Sequence, residues 1–295
     1  MRTEPDYRIN RRAFIRQGAL ILAGPMVLGS GVLAAIDPAK LRIGLVTDLH
    51  YSDRLPAHNR YFRESPAKLA EAVERFRQDK PDLVFALGDL IDGGESVDVE
   101  KENLRRAVKD LSAAPGQRHY VVGNHCVDTL TKAEYLEGVQ RDRTYYSFDF
   151  ADHHFVVLDA CFRKDGVSYG RKNSQWTDTN LSPAELEWLQ ADLKATRRKT
   201  IVFVHQQLDL DGLPGIGNAA EARKILQQSG KVLAVLQGHL HKNKYREIGG
   251  IHYCTLAAMI EGSGKENNAY AGMEILAGDA IRITGFRTQG SYEWA

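Results

Sequence analysis

Residues 235–243 read VLQGHLHKN: an apolar run, a glycine, then His239 and His241 with one residue between them. A short apolar run closed by glycine reads as a buried strand that ends in a turn. A histidine that only fills a core needs no twin. Two imidazoles at one strand end suit a metal centre, and two neighbouring metals would take one each. That reading requires ligands of the right type at other strand ends, so the rest of the chain decides it.

Four more apolar runs end in such residues. Residues 41–47 (LRIGLVT) lead to Asp48 and His50. Residues 83–87 lead to Asp89, with Asp92 behind it. Residues 119–122 lead to Asn124 and His125, and residues 201–204 lead to His205. Helical spacing lies between them. Residues 66–78 follow Ser65 as a candidate N-cap with Pro66 at the first position, and residues 99–111 are a second helix. Ser182-Pro183-Ala184-Glu185 reads as a capping box opening a helix through Lys194, and residues 221–228 are helical. Residues 145–150 and 154–158 form a hairpin, and the tail (251–256, 271–276, 280–284) reads as antiparallel strands. Strand–helix alternation followed by strands predicts an α/β fold of mixed sheets with helices on their outer faces. No Pro/Gly/Ser-rich linker divides residues 36–295, which read as one domain. Residues 161–181 lack periodicity, and a loop of that length is more often functional than idle.

In open α/β sheets, sites form beyond the carboxyl ends of strands. Each residue alone has an ordinary explanation. An aspartate after a strand usually caps a turn, and Asp92 is read that way and kept out of the ligand set. A lone histidine such as His205 is ordinarily a hydrogen-bonded core residue. Five strand ends carrying such residues together are a constellation. Asp48, His50, Asp89, Asn124, His205, His239 and His241 offer carboxylate, imidazole and amide oxygen without thiolate. That mixture suits Mn, Fe or Zn better than Ca or Mg, which prefer all-oxygen shells. The set is too large for one tetrahedral ion and right for two, ~3.5–4 Å apart with a bridging carboxylate.

The motif order D-x-H, GDxxD, GNH, strand-end His and GHxH resembles the calcineurin-like metallophosphoesterases over about residues 36–295. The resemblance implies two facing mixed β-sheets flanked by helices, a four-layer sandwich, and two divalent or trivalent metal ions. It implies one metal on Asp48, His50, Asp89 and His241, and the other on Asp89, Asn124, His205 and His239, with Asp89 bridging. His125 would be the general acid or transition-state donor. The implied reaction is hydrolysis of a phosphate ester or anhydride by a metal-bridged hydroxide, on a small phosphorylated substrate. Family members often carry an acidic residue after GNH, where this chain has Cys126, so His125 needs another partner. NRYFRES, YYSFD, LSPAELEWL and GGIHYCTLAAMIEG are similar to the manganese-dependent ADP-ribose/CDP-alcohol diphosphatase branch, which typically has glutamine where His50 stands. Tyr51, Arg60 and Arg63 are candidate substrate contacts, since arginine suits a second phosphate and aromatics suit a base. The alternatives are a broad phosphomonoesterase, a cyclic-nucleotide phosphodiesterase, or a metal-binding protein without turnover.

The 295-residue chain carries net charge +1, which hides an asymmetry. Five arginines against Glu4 and Asp6 make residues 1–35 basic, and the remainder is slightly acidic, so no overall charge argues for nucleic acid. Arg11-Arg12 precedes a nearly uncharged Ala/Leu/Gly-rich run and the small-residue exit Val32-Leu33-Ala34. This resembles a twin-arginine signal, which implies the twin-arginine export machinery as a partner and a periplasmic or extracellular protein. The run is short and Gly/Pro-interrupted, so no permanent membrane span is expected. Cys126, Cys161 and Cys254 are an odd, widely spaced set that describes no disulfide framework.

Overall fold

The structure, a computed structural model, describes residues 41–295 and, before them, the backbone of one short antiparallel pair, Ala13–Arg16 with Ala19–Leu22. The pair belongs to a separate compact unit, Met1–Asp37, and the remainder to Pro38–Ala295. Apart from that pair, the export-signal reading of residues 1–35 lies outside the described residues. Among the described residues, no helix is long and apolar enough to cross a membrane.

In the larger unit the strands are β1 (Leu41–Val46), β2 (Leu83–Ala86), β3 (Gln117–Tyr120), β4 (Tyr146–Phe150), β5 (His153–Val157), β6 (Lys199–Phe203), β7 (Val232–Gln237), β8 (Lys244–Ile248), β9 (Ile251–Thr255), β10 (Ala269–Ile275), β11 (Ile281–Arg287) and β12 (Tyr292–Trp294). The helices are α1 (Ser65–Asp79), α2 (Val97–Leu111), α3 (Lys132–Val139), α4 (Pro183–Ala195) and α5 (Ala219–Ser229). One sheet has the order β12-β11-β10-β1-β2-β3, the other β8-β9-β7-β6-β5-β4. β1, β2 and β3 run parallel, as do β5, β6, β7 and β9. The two sheets are therefore mixed, and β9, expected as an antiparallel strand, pairs antiparallel only with β8 and parallel with β7.

Period-two alternation separates the layers. Leu45, Phe85 and Phe203 face inward to a core between the sheets. Val46, Val84 and Ala86 face outward onto Leu69, Phe76, Leu104 and Tyr135 of α1–α3. Val156, Val202 and Val235 face outward onto Leu186, Leu189 and Leu226 of α4 and α5. The rings of Phe85 and Phe203 stack at 3.7 Å and 10°, joining the two sheets just behind the strand ends that carry the candidate ligands.

Three local expectations change. Ser65 does not cap α1; Glu64 does by position, while the Ser65 hydroxyl donates to the carbonyl of Leu49. Ser182 accepts from Glu185 N as a cap should, but the Glu185 carboxyl accepts from Asp159 N, so the box is only half made. Burial raises the Glu185 pKa well above the carboxylate range, with the Asp159 charge adding to it. Helix α3, absent from the periodicity reading, carries the reciprocal box instead, between Thr131 and Glu134.

Candidate metal centre

Three strand ends of one sheet and two of the other meet at the same edge of the sandwich. Asp48 and His50 follow β1, Asp89 follows β2, Asn124 and His125 follow β3, His205 follows β6, and His239 and His241 follow β7. The chain must turn sharply there to aim side chains inward. Asp48 (φ 52), His50 (φ 45), Asp89 (φ 47), His239 (φ 69) and His241 (φ 59) all adopt left-handed backbone. Non-glycine residues rarely do so, and such positions cost of order 1–3 kcal/mol each. A run of them at one locus marks a place where side-chain direction matters more than local comfort.

The glycines in the motifs make room for these side chains. A Cβ on Gly123 would lie 2.2 Å from Asp89 Oδ1 and 2.4 Å from Asp89 N. A Cβ on Gly88 would lie 2.4 Å from His205 Nδ1, at a backbone with φ +101.

Three overlapping groups result, and His50, Asp89 and His125 form one that links the other two. In the first of those two, Asp48, His50 and His241 each present an atom within 4.8 Å of the others, with His50 Nε2 3.0 Å from His241 Nε2. In the second, Asp89, His205 and His239 converge in the same way, with His205 Nε2 3.0 Å from Asp89 Oδ2. Asp89 Oδ2 also lies 3.6 Å from His50 Nε2, which places this carboxylate between the clusters. Asn124 Oδ1, His205 Nε2 and His239 Nε2 are buried without a hydrogen-bond partner in the protein. Buried lone pairs are expensive to leave unmet, and three of them beside fully buried carboxylates fit bound cations.

A second layer fixes the ring orientations. His205 Nδ1 donates to the carbonyl of Leu87 at 2.7 Å, leaving Nε2 as the lone-pair nitrogen. His241 Nδ1 meets Glu261 Oε1 at 2.7 Å. Asp48 Oδ2 accepts from Thr47 Oγ1 at 2.7 Å, and the backbone N–H of His125 donates to Asp89 Oδ1 at 2.8 Å. Glu261 lies in the tail and has no strand-end signal of its own; sequence reasoning passed over it.

The charges follow from this packing. Burial pushes the Asp48 carboxyl up, but hydrogen bonds from His241 and His50 hold it well below the usual range. Burial of Asp89 is likewise outweighed, here by the charges of His205 and His125. Burial opposes charge on His205, yet Asp89 and Asp48 lift it to about 9; Asp48 and Glu261 do the same for His241. Burial and the His205 charge drop His239 to about 3. Positive charge is thus drawn to the spaces beside Asp48 and Asp89.

Asp92, read from sequence as a turn cap, does accept from Gly93 N at 2.8 Å. It also sits 3.1 Å from His125 Nδ1 and 3.4 Å from His50 Nδ1, and accepts from Arg54 Nη1 at 3.1 Å. It is the partner that His125 lacks at position 126. Cys126 cannot serve, because its side chain is fully buried among Val122, Val127 and Leu130 of the outer core. Burial works against a charged His125, but Asp89 and Asp92 raise its pKa.

A cleft of about 1190 Å³ opens over both clusters. Asp89, Asn124, His125, His239 and His241 line it, and so does Arg60. Tyr51 and Arg63 do not. The Tyr51 side chain is buried and its hydroxyl accepts from Arg106 Nη1 at 2.7 Å, while Arg63 turns to Asp53 Oδ1 at 2.6 Å. Trp176, from the long loop, also lines the cleft, with its ring centroid 5.7 Å from that of His239. The loop length was the only sequence signal for it.

Comparison with known proteins places this centre in a family context. The calcineurin-like phosphoesterase family matches residues 41–243. A manganese-dependent ADP-ribose/CDP-alcohol diphosphatase of Arabidopsis thaliana is 25% identical, over 74% of this chain and 86% of its own length. A 3',5'-cyclic-nucleotide phosphodiesterase of a Nostoc strain is also 25% identical, over 72% of this chain and 76% of its own. The solved structure of a dimetal phosphatase from Danio rerio superposes with a TM-score of 0.76 at 22% identity, covering 88% of this chain and 100% of that one. It shares the sandwich fold described above.

Proposed function

Since the chain belongs to the calcineurin-like phosphoesterase family and is a metal-dependent phosphoesterase, we propose that its cleft cleaves diphosphate or phosphodiester bonds in small phosphorylated compounds, using Asp48, His50, Asp89 and His241 at one metal and Asp89, Asn124, His205 and His239 at the other. The observation that carries the assignment is the set of buried, unpartnered Asn124 Oδ1, His205 Nε2 and His239 Nε2 beside Asp89. Metal ions held by these residues would supply Lewis-acid charge for the phosphoryl oxygens and would acidify a bound water. Manganese is the first metal to test, from the Arabidopsis relative; iron and zinc suit the same donors.

The protein's own residues do the rest. Asp89 holds a carboxylate between the clusters and at the same time accepts from the His125 backbone. His125, held through Nδ1 by Asp92, keeps Nε2 for the leaving oxygen, to which it donates a proton. Arg60, on the cleft wall 4.0 Å from Asp92, supplies a guanidinium for a second phosphate. The ADP-ribose/CDP-alcohol type of substrate comes first, by likeness to the Arabidopsis protein, and a 3',5'-cyclic nucleotide second, by likeness to the Nostoc one.

The deciding experiment is a product screen on protein reconstituted with Mn, Fe or Zn. ADP-ribose, a CDP-alcohol, a cyclic nucleotide and a simple monoester are compared, and Arg60→Ala should raise KM for the diphosphates more than for the monoester. Protein holding two metal equivalents that hydrolyses none of them refutes the reading.

The paired arginines support a further part of the proposal: residues 1–35 direct export by the twin-arginine machinery to the periplasm or the extracellular space, with residues 36–295 as the working domain. Arg11→Lys with Arg12→Lys should retain the protein inside the cell. Unchanged export of that variant defeats the assignment.

A further inference from the structure

Trp176 is 53% exposed, while Trp294 is 6% exposed. A solvent-facing indole forgoes its large hydrophobic burial unless something covers it in use. Here it faces the cleft, with its ring tilted 53° to that of His239, a residue of the second ligand cluster.

The ring is presented by a built substructure. Trp176 sits in a turn closed by Asp178 N donating to the carbonyl of Gln175 at 2.9 Å. Beneath the turn, the Tyr169 hydroxyl lies between the carbonyls of Gln175 (3.1 Å) and Asp178, and Tyr169 itself is buried. The loop ends are tied by β-bridges from Cys161 and Phe162 to Asn180, and Lys164 N donates to Asp178 Oδ1 at 2.8 Å. Tyr169 therefore pins the backbone on both sides of Trp176. With the backbone fixed on both sides, only the two side-chain torsions of the indole remain to be ordered on binding.

We propose that Trp176 is a specificity-determining residue: an aromatic platform on a fixed loop that stacks a planar ring carried by the phosphorylated substrate, and so favours nucleotide-type compounds over sugar or alkyl phosphates. The inference rests on the phosphoesterase reading of the cleft. It is separable from the arginine contact, since Arg60 touches the Asp92 side, near His125, whereas Trp176 flanks His239.

Adenosine monophosphate and ribose 5-phosphate share the ribose and the phosphate, with an anomeric hydroxyl where the base stands, so their comparison reads the stack. Their binding to the metal-loaded full chain is measured by calorimetry, with Trp176 fluorescence quenching as a second readout defined by difference from Trp176→Phe. Trp176→Ala should weaken adenosine monophosphate roughly five- to hundredfold, the range for loss of one base–aromatic stack, and narrow the gap to ribose 5-phosphate. Trp176→Phe should restore most of the lost affinity. Adenosine monophosphate bound equally by wild type and Trp176→Ala overturns the platform, and so does an equal loss of both ligands. If wild type hydrolyses phosphate compounds but binds both probes alike, the phosphoesterase reading stands and the platform falls. If wild type hydrolyses none yet Trp176→Ala shows the base-dependent loss, the platform stands and that reading falls.

Discussion

Asp92→Asn separates proton donation from metal binding. The substitution keeps size and shape but removes the charge that His125 Nδ1 meets at 3.1 Å. Oδ1 also accepts from Arg54 at 3.1 Å and Gly93 N at 2.8 Å, so an amide oxygen will be held at that position. The new NH2 then replaces Oδ2, which faces His50 Nδ1 at 3.4 Å. A hydrogen bond to a charged acceptor contributes about 1.5–3 kcal/mol against about 1 for a neutral one. The loss felt by an imidazolium at His125 is therefore about 0.5–2 kcal/mol, or roughly 2- to 30-fold in rate. The loss should appear only where the leaving oxygen needs a proton. An alkyl or ribosyl leaving group should slow by that factor in kcat, and a nitrophenyl ester by less than about threefold. The assay is kcat on both substrate types beside metal content by elemental analysis. Equal slowing of both, with metal retained, would make His125 a stabiliser of phosphate oxygens. Loss of metal would make Asp92 a support for His50, and the proton-donor argument would fail.

Asp89→Ala should lose both metals, whereas Asn124→Ala weakens mainly one, because Asp89 Oδ2 stands 3.0 Å from His205 Nε2 and 3.6 Å from His50 Nε2, closer to the second cluster than Asp48 Oδ1 at 3.9 Å from His205 Nε2; two equivalents and wild-type turnover in the Asp89 variant contradict this. Gly123→Ala drives a methyl group into Asp89 Oδ1 at 2.2 Å, so metal affinity should collapse while unfolding shifts by only about 1–3 kcal/mol, checked by metal titration beside urea denaturation. Far from the centre, burial lowers the His154 pKa but Asp192 (2.8 Å) and Asp149 (2.7 Å) raise it above the ordinary value. The folded state thus favours the charged ring, so the stabilisation is full below about pH 6.5 and fades as pH rises through the raised value. The stability gap between wild type and His154→Gln should accordingly be larger at pH 6 than at pH 9, and a gap that widens with pH refutes the ion-pair account.

The sequence by itself determined the layered α/β architecture and the residues that meet at its edge. Strand cores such as Leu83–Ala86 are apolar because they are covered on both faces, and a buried parallel strand shows as a short apolar run with its polar ligand just beyond. That makes the position of Asp89 or His205 legible one strand at a time. What tertiary structure decided was which side chains face one another across the two sheets. Asp92 and Cys126 both stand near GNH in the centre's neighbourhood, but the left-handed turns and the packing of Cys126 into the outer core give His125 to Asp92. Tyr51 and Arg63 belong to the same stretch as Arg60, yet folding buries Tyr51 and brings Arg106 of α2 to its hydroxyl, while the exposed Arg63 pairs locally with Asp53. Strand β8 is polar and largely exposed, so its pairing with β9 left no hydrophobic pattern to read. Glu261 and Trp176 reach the cleft from 20 and more residues along the chain from any metal motif they serve; sequence separation carries no record of a distance that only folding closes.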